Sequence, residues 1–394
     1  MTDPGATPVA ARALAPDLAR GGMLLLIALA NVHLFGYGEP IGPRGYPRGI
    51  AGVDHVVALL QMCLVDGRAY PLFGLLFGYG VVQLTWRRSA VGLPAAAVTG
   101  LVRRRGGWML LIGLLHGALL WSGDIIGAYG LLAVLMAGPL VRGSDRKLII
   151  TGCVGVVIIT LLYAAVGVQL PGEPRALLPS MMVTDPIDAL AVRLVEWVAT
   201  GLLVQAVGVF GAVAFGAWAA RRRLLDEPQR HRTLLRQVAL VGIPLAVLGG
   251  LPMALLAAQL WTSPALPVTL LAGSLHAISG YAGGFGYAAL FGLAAVRVAE
   301  RGAPGPAVRA LQACGQRSLS CYLAQSVAFV TLLPAWTLGL GNHARLWQTA
   351  LVGIGAWLVI LLVAACSDRF GYRGPAETLL RRLTYGPRRE HSPR

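Results

Sequence analysis

Ten stretches of mostly apolar residues, separated by short linkers whose basic residues fall in every second linker, limit what this chain can fold into. The runs centre on Leu24 to Phe35, Val56 to Leu84, Trp108 to Leu120, Ile125 to Val141, Leu148 to Val168, Leu190 to Ala220, Val238 to Leu260, Val268 to Val296, Leu319 to Leu338 and Trp347 to Cys366. A helix that crosses a bilayer needs about 20 apolar residues, and most of these runs reach that once flanking small residues are included. The linkers 85–106, 142–147, 221–236 and 297–317 hold 18 Lys and Arg, whereas 36–52, 122–124, 169–190, 261–267 and 337–346 hold 4. Basic loops stay on the cytoplasmic side. The pattern predicts an all-α, polytopic membrane bundle of about ten transmembrane helices with both termini in the cytoplasm. One membrane domain is expected over 16–385, flanked by loose tails at 1–15 and 386–394 that are rich in Pro, Ala, Arg and Glu.

Composition agrees with this. A hydrophobic fraction of 56% and only 13% charged residues, with a mean hydropathy of +0.67, lie outside the range of a soluble domain. A net charge of +16 suits nucleic acid in principle. Here the arginines lie in alternating linkers and in the tail 369–394, where they fix topology and meet anionic headgroups. The expected partner is the lipid bilayer, with no nucleic acid. The five cysteines, Cys63, Cys153, Cys314, Cys321 and Cys366, form no C-x-x-C pair, which argues against a disulfide framework or a metal site. Asp17 and Arg20 precede the first run and Asn31 and His33 end it, so it is expected to stay as a helix and not to be removed as a signal peptide.

Local chemistry divides the runs further. The first helix is expected to begin near Pro16 and Asp17, with the Asp17 carboxylate capping its amides. From Asp54 to Arg87 is 33 steps, about 50 Å of helix against a hydrocarbon core of about 30 Å. That run must tilt or break, and Asp66-Gly67-Arg68 followed by Pro71 is the expected break. Trp121 to Asp124 predicts a tight hairpin, and Asp185-Pro186 supplies a cap and a first-turn proline. Gly208, Gly211, Ala212, Gly216 and Ala219 give the sixth run a small face for close helix packing.

Ionisable groups within spans are costly and usually face a cavity or a partner. Once the orientation is imposed, Asn31, His33, Asp54, His55, His116, Asp124 and His276 gather toward the outer face. Asp66 and Arg68 lie at mid-depth, and Asp17, Arg20, Arg103 to Arg105, Arg317 and Gln325 lie toward the inner face. Each has a structural alternative: a helix cap for Asp124, an interhelical hydrogen bond for His116, an ion pair for Asp66 with Arg68. No P-loop, nucleophile elbow, dinucleotide fingerprint or H-E-x-x-H is present, so no short motif names a reaction.

Longer stretches carry a resemblance. Pro16-Asp17-Leu18-Ala19-Arg20-Gly21 leads to Ala30-Asn31, and Asp66 to Gly80 reads DGRAYPLFGLLFGYG. Gly113-Leu114-Leu115-His116 is followed by Trp121-Ser122-Gly123-Asp124-Ile125 and Tyr129. Gly315 to Tyr322 leads to Gln325-Ser326, and Gly374-Pro375-Ala376-Glu377 leads to Arg381-Arg382-Leu383-Thr384-Tyr385-Gly386. Together these resemble the YeiB-like bacterial membrane proteins, a family labelled a domain of unknown function. The family pattern tends to Glu-Gly-Lys where this chain has Asp66-Gly67-Arg68, a change that keeps the charges. The resemblance implies a multi-pass protein of the bacterial plasma membrane.

The opening Asp17, Arg20-Gly21 and Asn31 also resemble the first helix of transmembrane acyltransferases of the heparan glucosaminide acetyltransferase kind. That resemblance implies transfer of an acyl group from cytoplasmic acyl-CoA to a hydroxyl or amine of a sugar, lipid or other small molecule on the far side. Acyl-CoA would be a co-substrate, with no tightly bound cofactor. The expected catalytic residues are His116 as base with Asp124 or Asp54 orienting it, His55 and His33 also standing near the outer face. Asn31, Asp66, Arg68, Tyr129 and Gln325 are expected at the acceptor, and Asp17, Arg20, Arg103, Arg104 and Arg317 at the CoA phosphates. The competing expectations are a transporter using Asp66 and Arg68 at a broken helix, and a non-catalytic scaffold.

Overall fold

The computed structural model describes residues 13–168 and 172–386. Most of both expected tails lies outside the described residues, and Leu14 and Ala15 already belong to the first helix. Among the described residues the chain is helical, without a strand. In order the helices are α1 (Leu14–Val32), α2 (Val53–Leu64), α3 (Ala69–Ala90), α4 (Ala95–Leu119), α5 (Ile126–Arg142), α6 (Asp145–Ala164), α7 (Pro186–Glu196), α8 (Gln205–Arg221), α9 (Arg232–Ala257), α10 (Leu266–Glu300), α11 (Pro306–Gln316), α12 (Ser318–Leu332), α13 (Leu346–Arg369) and α14 (Pro375–Tyr385).

Among the described residues, seven segments are long and apolar enough to cross a membrane: Leu14–Phe35, Val53–Ala90, Asp145–Gly167, Pro186–Arg221, Arg232–Ala257, Leu266–Glu300 and Leu346–Arg369. The other three expected runs fall in α4, α5 and α12. The last two are shorter apolar helices, and α4 carries Arg103 to Arg105 in its first half. Leu161, Leu248 and Leu362, on α6, α9 and α13, are each more than 60% exposed. Outward leucines on long apolar helices mark a lipid-facing surface.

The break expected in the second run is present. Between α2 and α3 the backbone turns at Gly67 with φ +77, a left-handed conformation that favours glycine. Close packing uses small residues elsewhere as well. A Cβ on Gly106 of α4 would stand 2.7 Å from the Gly130 carbonyl oxygen of α5, and Gly78 of α3 lies against the backbone of Val213 in α8. Helices without a hydrophobic driving force between them associate through such approaches. Asp185 caps α7 as expected, accepting from the amides of Ile187 at 2.8 Å and Asp188 at 3.0 Å. Trp197–Val204, between α7 and α8, is a π-helical stretch, a distortion common beside functional groups.

One expectation needs correction. No side chain caps α1, because the helix starts at Leu14. Asp17 instead accepts from Arg20 Nη1 at 3.4 Å and from Gln316 Nε2 at 3.2 Å, tying α1 to α11. Within the loop 36–52 the chain folds locally. An isolated bridge from Ile41 to Pro47 folds 41–47 into a small hairpin, in which Tyr46 is 1% exposed. The hairpin tip carries Arg44 against the broken helix.

Candidate functional site

Two buried polar clusters stand out. In the first, the hairpin between α4 and α5 brings Asp124 back over the end of α4. His116 Nδ1 lies 2.8 Å from Asp124 Oδ1, and His116 Nε2 lies 2.8 Å from Ser326 Oγ on α12. All three are at most 4% exposed. An ionised carboxylate only accepts hydrogen bonds, so Nδ1 carries the imidazole proton and Nε2 presents a lone pair to the serine hydroxyl. The arrangement is a hydrogen-bonded chain from carboxylate through imidazole to hydroxyl, the geometry of an activated nucleophile.

Local structure explains why it forms. Asp124 also accepts from the amides of Ile126 at 3.0 Å and Gly127 at 2.6 Å, so it caps α5 and orients His116 at once. Trp197, in the π-helical stretch, reaches Asp124 Oδ2 through its indole nitrogen at 3.4 Å. Gly113 and Gly127 let α4 and α5 approach closely enough; a Cβ on Gly113 would stand 2.6 Å from Asp124 Oδ2. The ring of Tyr322, one helical turn before Ser326, lies 5.2 Å from that of His116. The hydroxyls of Tyr322 and Tyr129 are buried without a hydrogen-bond partner, and Tyr129 itself is packed on Phe73 and Phe77. Glu196 braces the hairpin, accepting from Ser122 Oγ at 2.6 Å and from Ser180.

The second cluster sits at the break. Arg44 pairs with Asp66 through Nη2 at 2.5 Å and Nε at 3.2 Å, and its guanidinium stands over the ring of Tyr163. Burial disfavours the Arg44 charge, yet the Asp66 carboxylate more than offsets this and holds its pKa well above the ordinary value. Arg68 does not pair with the Asp66 carboxylate. It donates to the Asp66 carbonyl oxygen at 2.6 Å, to His276 Nδ1 at 3.0 Å, to the Ala246 carbonyl oxygen and to Ser279 Oγ. The alternative of an Asp66–Arg68 ion pair is replaced by an Asp66–Arg44 pair, with the two neighbouring side chains parted at Gly67.

The remaining expected residues scatter. Asp54 is not beside His116: it accepts from the Trp347 amide at 2.9 Å and faces Arg345 at 3.7 Å, anchoring the start of α13. His55 Nδ1 donates to the Ala258 carbonyl oxygen, and His33 Nε2 to that of Arg44. Gln325 Nε2 donates to the Leu24 carbonyl oxygen at 3.0 Å, and Asn31 is half-buried near the end of α1. Arg103 and Arg104 are exposed. Arg317 is committed to Asp368 Oδ1 at 3.0 Å and to the Tyr372 carbonyl oxygen.

Residues 219–387 match a family described as "Protein of unknown function (DUF418)", and two relatives align over almost the whole chain. They are "Uncharacterized protein YxaH" of Bacillus subtilis (strain 168), 23% identical over 94% of this chain and 93% of that protein, and "Uncharacterized protein YeiB" of Escherichia coli (strain K12), 27% identical over 93% and 95%. The chain is thus similar to the YeiB-like DUF418 proteins along its length, and its C-terminal part matches their family model.

The DUF418 match divides each cluster. Ser326, His276 and Ser279 lie inside the matched segment, whereas His116, Asp124, Arg44, Asp66 and Arg68 precede it. The residues that sequence reasoning missed are those supplied across this divide. Ser326 is 210 positions from His116, and only its place next to Gln325 in the YeiB-like stretch drew attention to it. Arg44 sits in a Gly/Pro-rich loop with no periodicity to announce that its tip turns inward.

Proposed function

We propose that this protein is an acyltransferase of the bacterial plasma membrane, with ten spans and both termini cytoplasmic. It would move an acyl group from cytoplasmic acyl-CoA to an extracytoplasmic hydroxyl or amine. The observation that carries this reading is the buried Asp124–His116–Ser326 chain. Asp124 holds the imidazole in the tautomer that leaves Nε2 basic, and Ser326 Oγ is the hydroxyl that Nε2 deprotonates. Ser326 attacks the thioester carbonyl, its proton passes to His116, and the departing CoA sulfur takes that proton to leave as a thiol. The acceptor oxygen or nitrogen then attacks acyl-Ser326, giving its proton to Nε2, and the serine hydroxyl is restored.

Ser326 lies eight residues into α12, about 12 Å along the helix. An acyl group parked at that depth need not have donor and acceptor present on the same side. The unpartnered hydroxyls of Tyr322 and Tyr129 are suited to stabilise the oxyanion of each tetrahedral intermediate. The exposed Arg103 and Arg104, with the partly exposed Arg20, are suited to the CoA phosphates.

The test is mass spectrometry of the purified protein after incubation with acetyl-CoA alone. An acetyl group on the peptide holding Ser326, absent from Ser326→Ala and His116→Gln, supports the reading. An unlabelled wild type together with unconsumed acetyl-CoA overturns it. The helix break with its buried Arg44–Asp66 pair favours a second reading, export of a small molecule by a discontinuous helix. An exporter would ignore acetyl-CoA.

A further inference from the structure

The second cluster holds more positive charge than it can neutralise. Arg44 and Asp66 cancel each other. Arg68 is 0% exposed, and its four partners, two carbonyl oxygens, an imidazole nitrogen and a hydroxyl, are all uncharged. An unbalanced guanidinium in the apolar part of a bundle is costly unless an anion answers it.

The unpartnered polar atoms around it have the matching character. His276 Nδ1 accepts from Arg68, so the proton of its neutral ring is on Nε2, a donor with no partner. Arg68 Nε and the Tyr46 hydroxyl are likewise buried donors without partners. Tyr46 packs in one cluster with Met62 and Cys63 at the end of α2, two residues along the hairpin from the Arg44 that bonds Asp66. One residual positive charge surrounded by idle donors suits an acceptor-only group of one negative charge.

We infer that the break between α2 and α3 binds a singly charged oxyanion, a carboxylate or a phosphodiester, beside Arg68 and beneath the 41–47 hairpin. The Arg68 guanidinium supplies the charge and, through its idle Nε, one hydrogen bond, and His276 Nε2 and Tyr46 supply further ones. The inference is independent of acyl transfer at Ser326, and its readout is binding alone.

The experiment is thermal unfolding of the full-length protein in an uncharged maltoside detergent. Acetate, diethyl phosphate or dihexanoyl phosphatidylglycerol is titrated in turn at constant ionic strength in chloride. A saturable rise in Tm with at least one probe is expected, and none in Arg68→Gln. A response to the soluble probes points to a free ligand, and a response confined to the glycerophospholipid points to a headgroup. Tyr46→Phe removes only an unpartnered hydroxyl, so the fold is retained, and the affinity should fall by about fivefold, the worth of one hydrogen bond. No saturable shift with any probe, or an Arg68→Gln protein that responds like wild type, overturns the inference. If Arg68→Gln does not fold, undiminished affinity in Tyr46→Phe overturns it instead.

Discussion

The carboxylate of Asp124 does two things at once: its Oδ1 stands 2.8 Å from His116 Nδ1, and both of its oxygens accept amides from the first turn of α5. Helix capping therefore fixes the position of the group that orients the imidazole. The acid cannot drift without uncapping a helix.

Asp124→Asn separates these roles. An amide can still accept one backbone N–H, so the stability loss should be about 1 kcal/mol. Its NH2 group favours the other imidazole tautomer, and acyl-Ser326 formation from acetyl-CoA should slow by about a thousandfold or more. Thermal unfolding and rapid-quench labelling measure the two effects, and parallel losses would show that Asp124 serves structure alone.

Gly113→Ala should damage stability and labelling together. The added methyl meets the Gly127 backbone and the Asp124 carboxylate, and overpacking of this kind costs about 1–3 kcal/mol. Gly107→Ala, on the same helix with open space around it, should be neutral or slightly stabilising. Equal behaviour of the two variants in denaturation would contradict the packing argument.

At the helix break, charge balance sets an order. Asp66→Asn leaves Arg44 and Arg68 both unanswered and should destabilise the protein by about 3–5 kcal/mol. Arg44→Gln leaves Asp66 beside Arg68 and should cost less. Chemical denaturation of the two variants under one condition decides the order, and the reverse ranking would contradict the charge count.

The proposed threading is checked with reporter fusions. Fusions at Gly172 and Gly341 should report the extracytoplasmic side and one at Arg230 the cytoplasm, because the linker around Arg230 is far richer in arginine than the other two. The opposite pattern would invert the sidedness of donor and acceptor.

Much of the architecture was legible because it follows from local rules. The break at Asp66-Gly67-Arg68 came from counting helix length, and the Asp185 cap and the α4–α5 hairpin from turn chemistry. The His116–Asp124 pair was legible because the two residues flank one short turn. Its partner choice over Asp54 was not, since that depended on where α13 begins. Ser326 and Arg44 escaped for the same physical reason: their contacts are made between segments distant in the chain, and no period or spacing encodes which helix faces which. The true start of α1 was missed because Asp17 looks like a cap and is spent instead on Arg20 and Gln316.

The 210 positions between His116 and Ser326 also order events during synthesis. At roughly 5–20 residues per second, the ribosome delivers the serine roughly 10 to 40 s after the histidine. Over that interval the nascent chain holds His116 and Asp124 without Ser326, and only the late docking of α12 completes the hydrogen-bonded trio. On the proposed reading, a product that stops short of α12 would lack the serine and could form no acyl-enzyme.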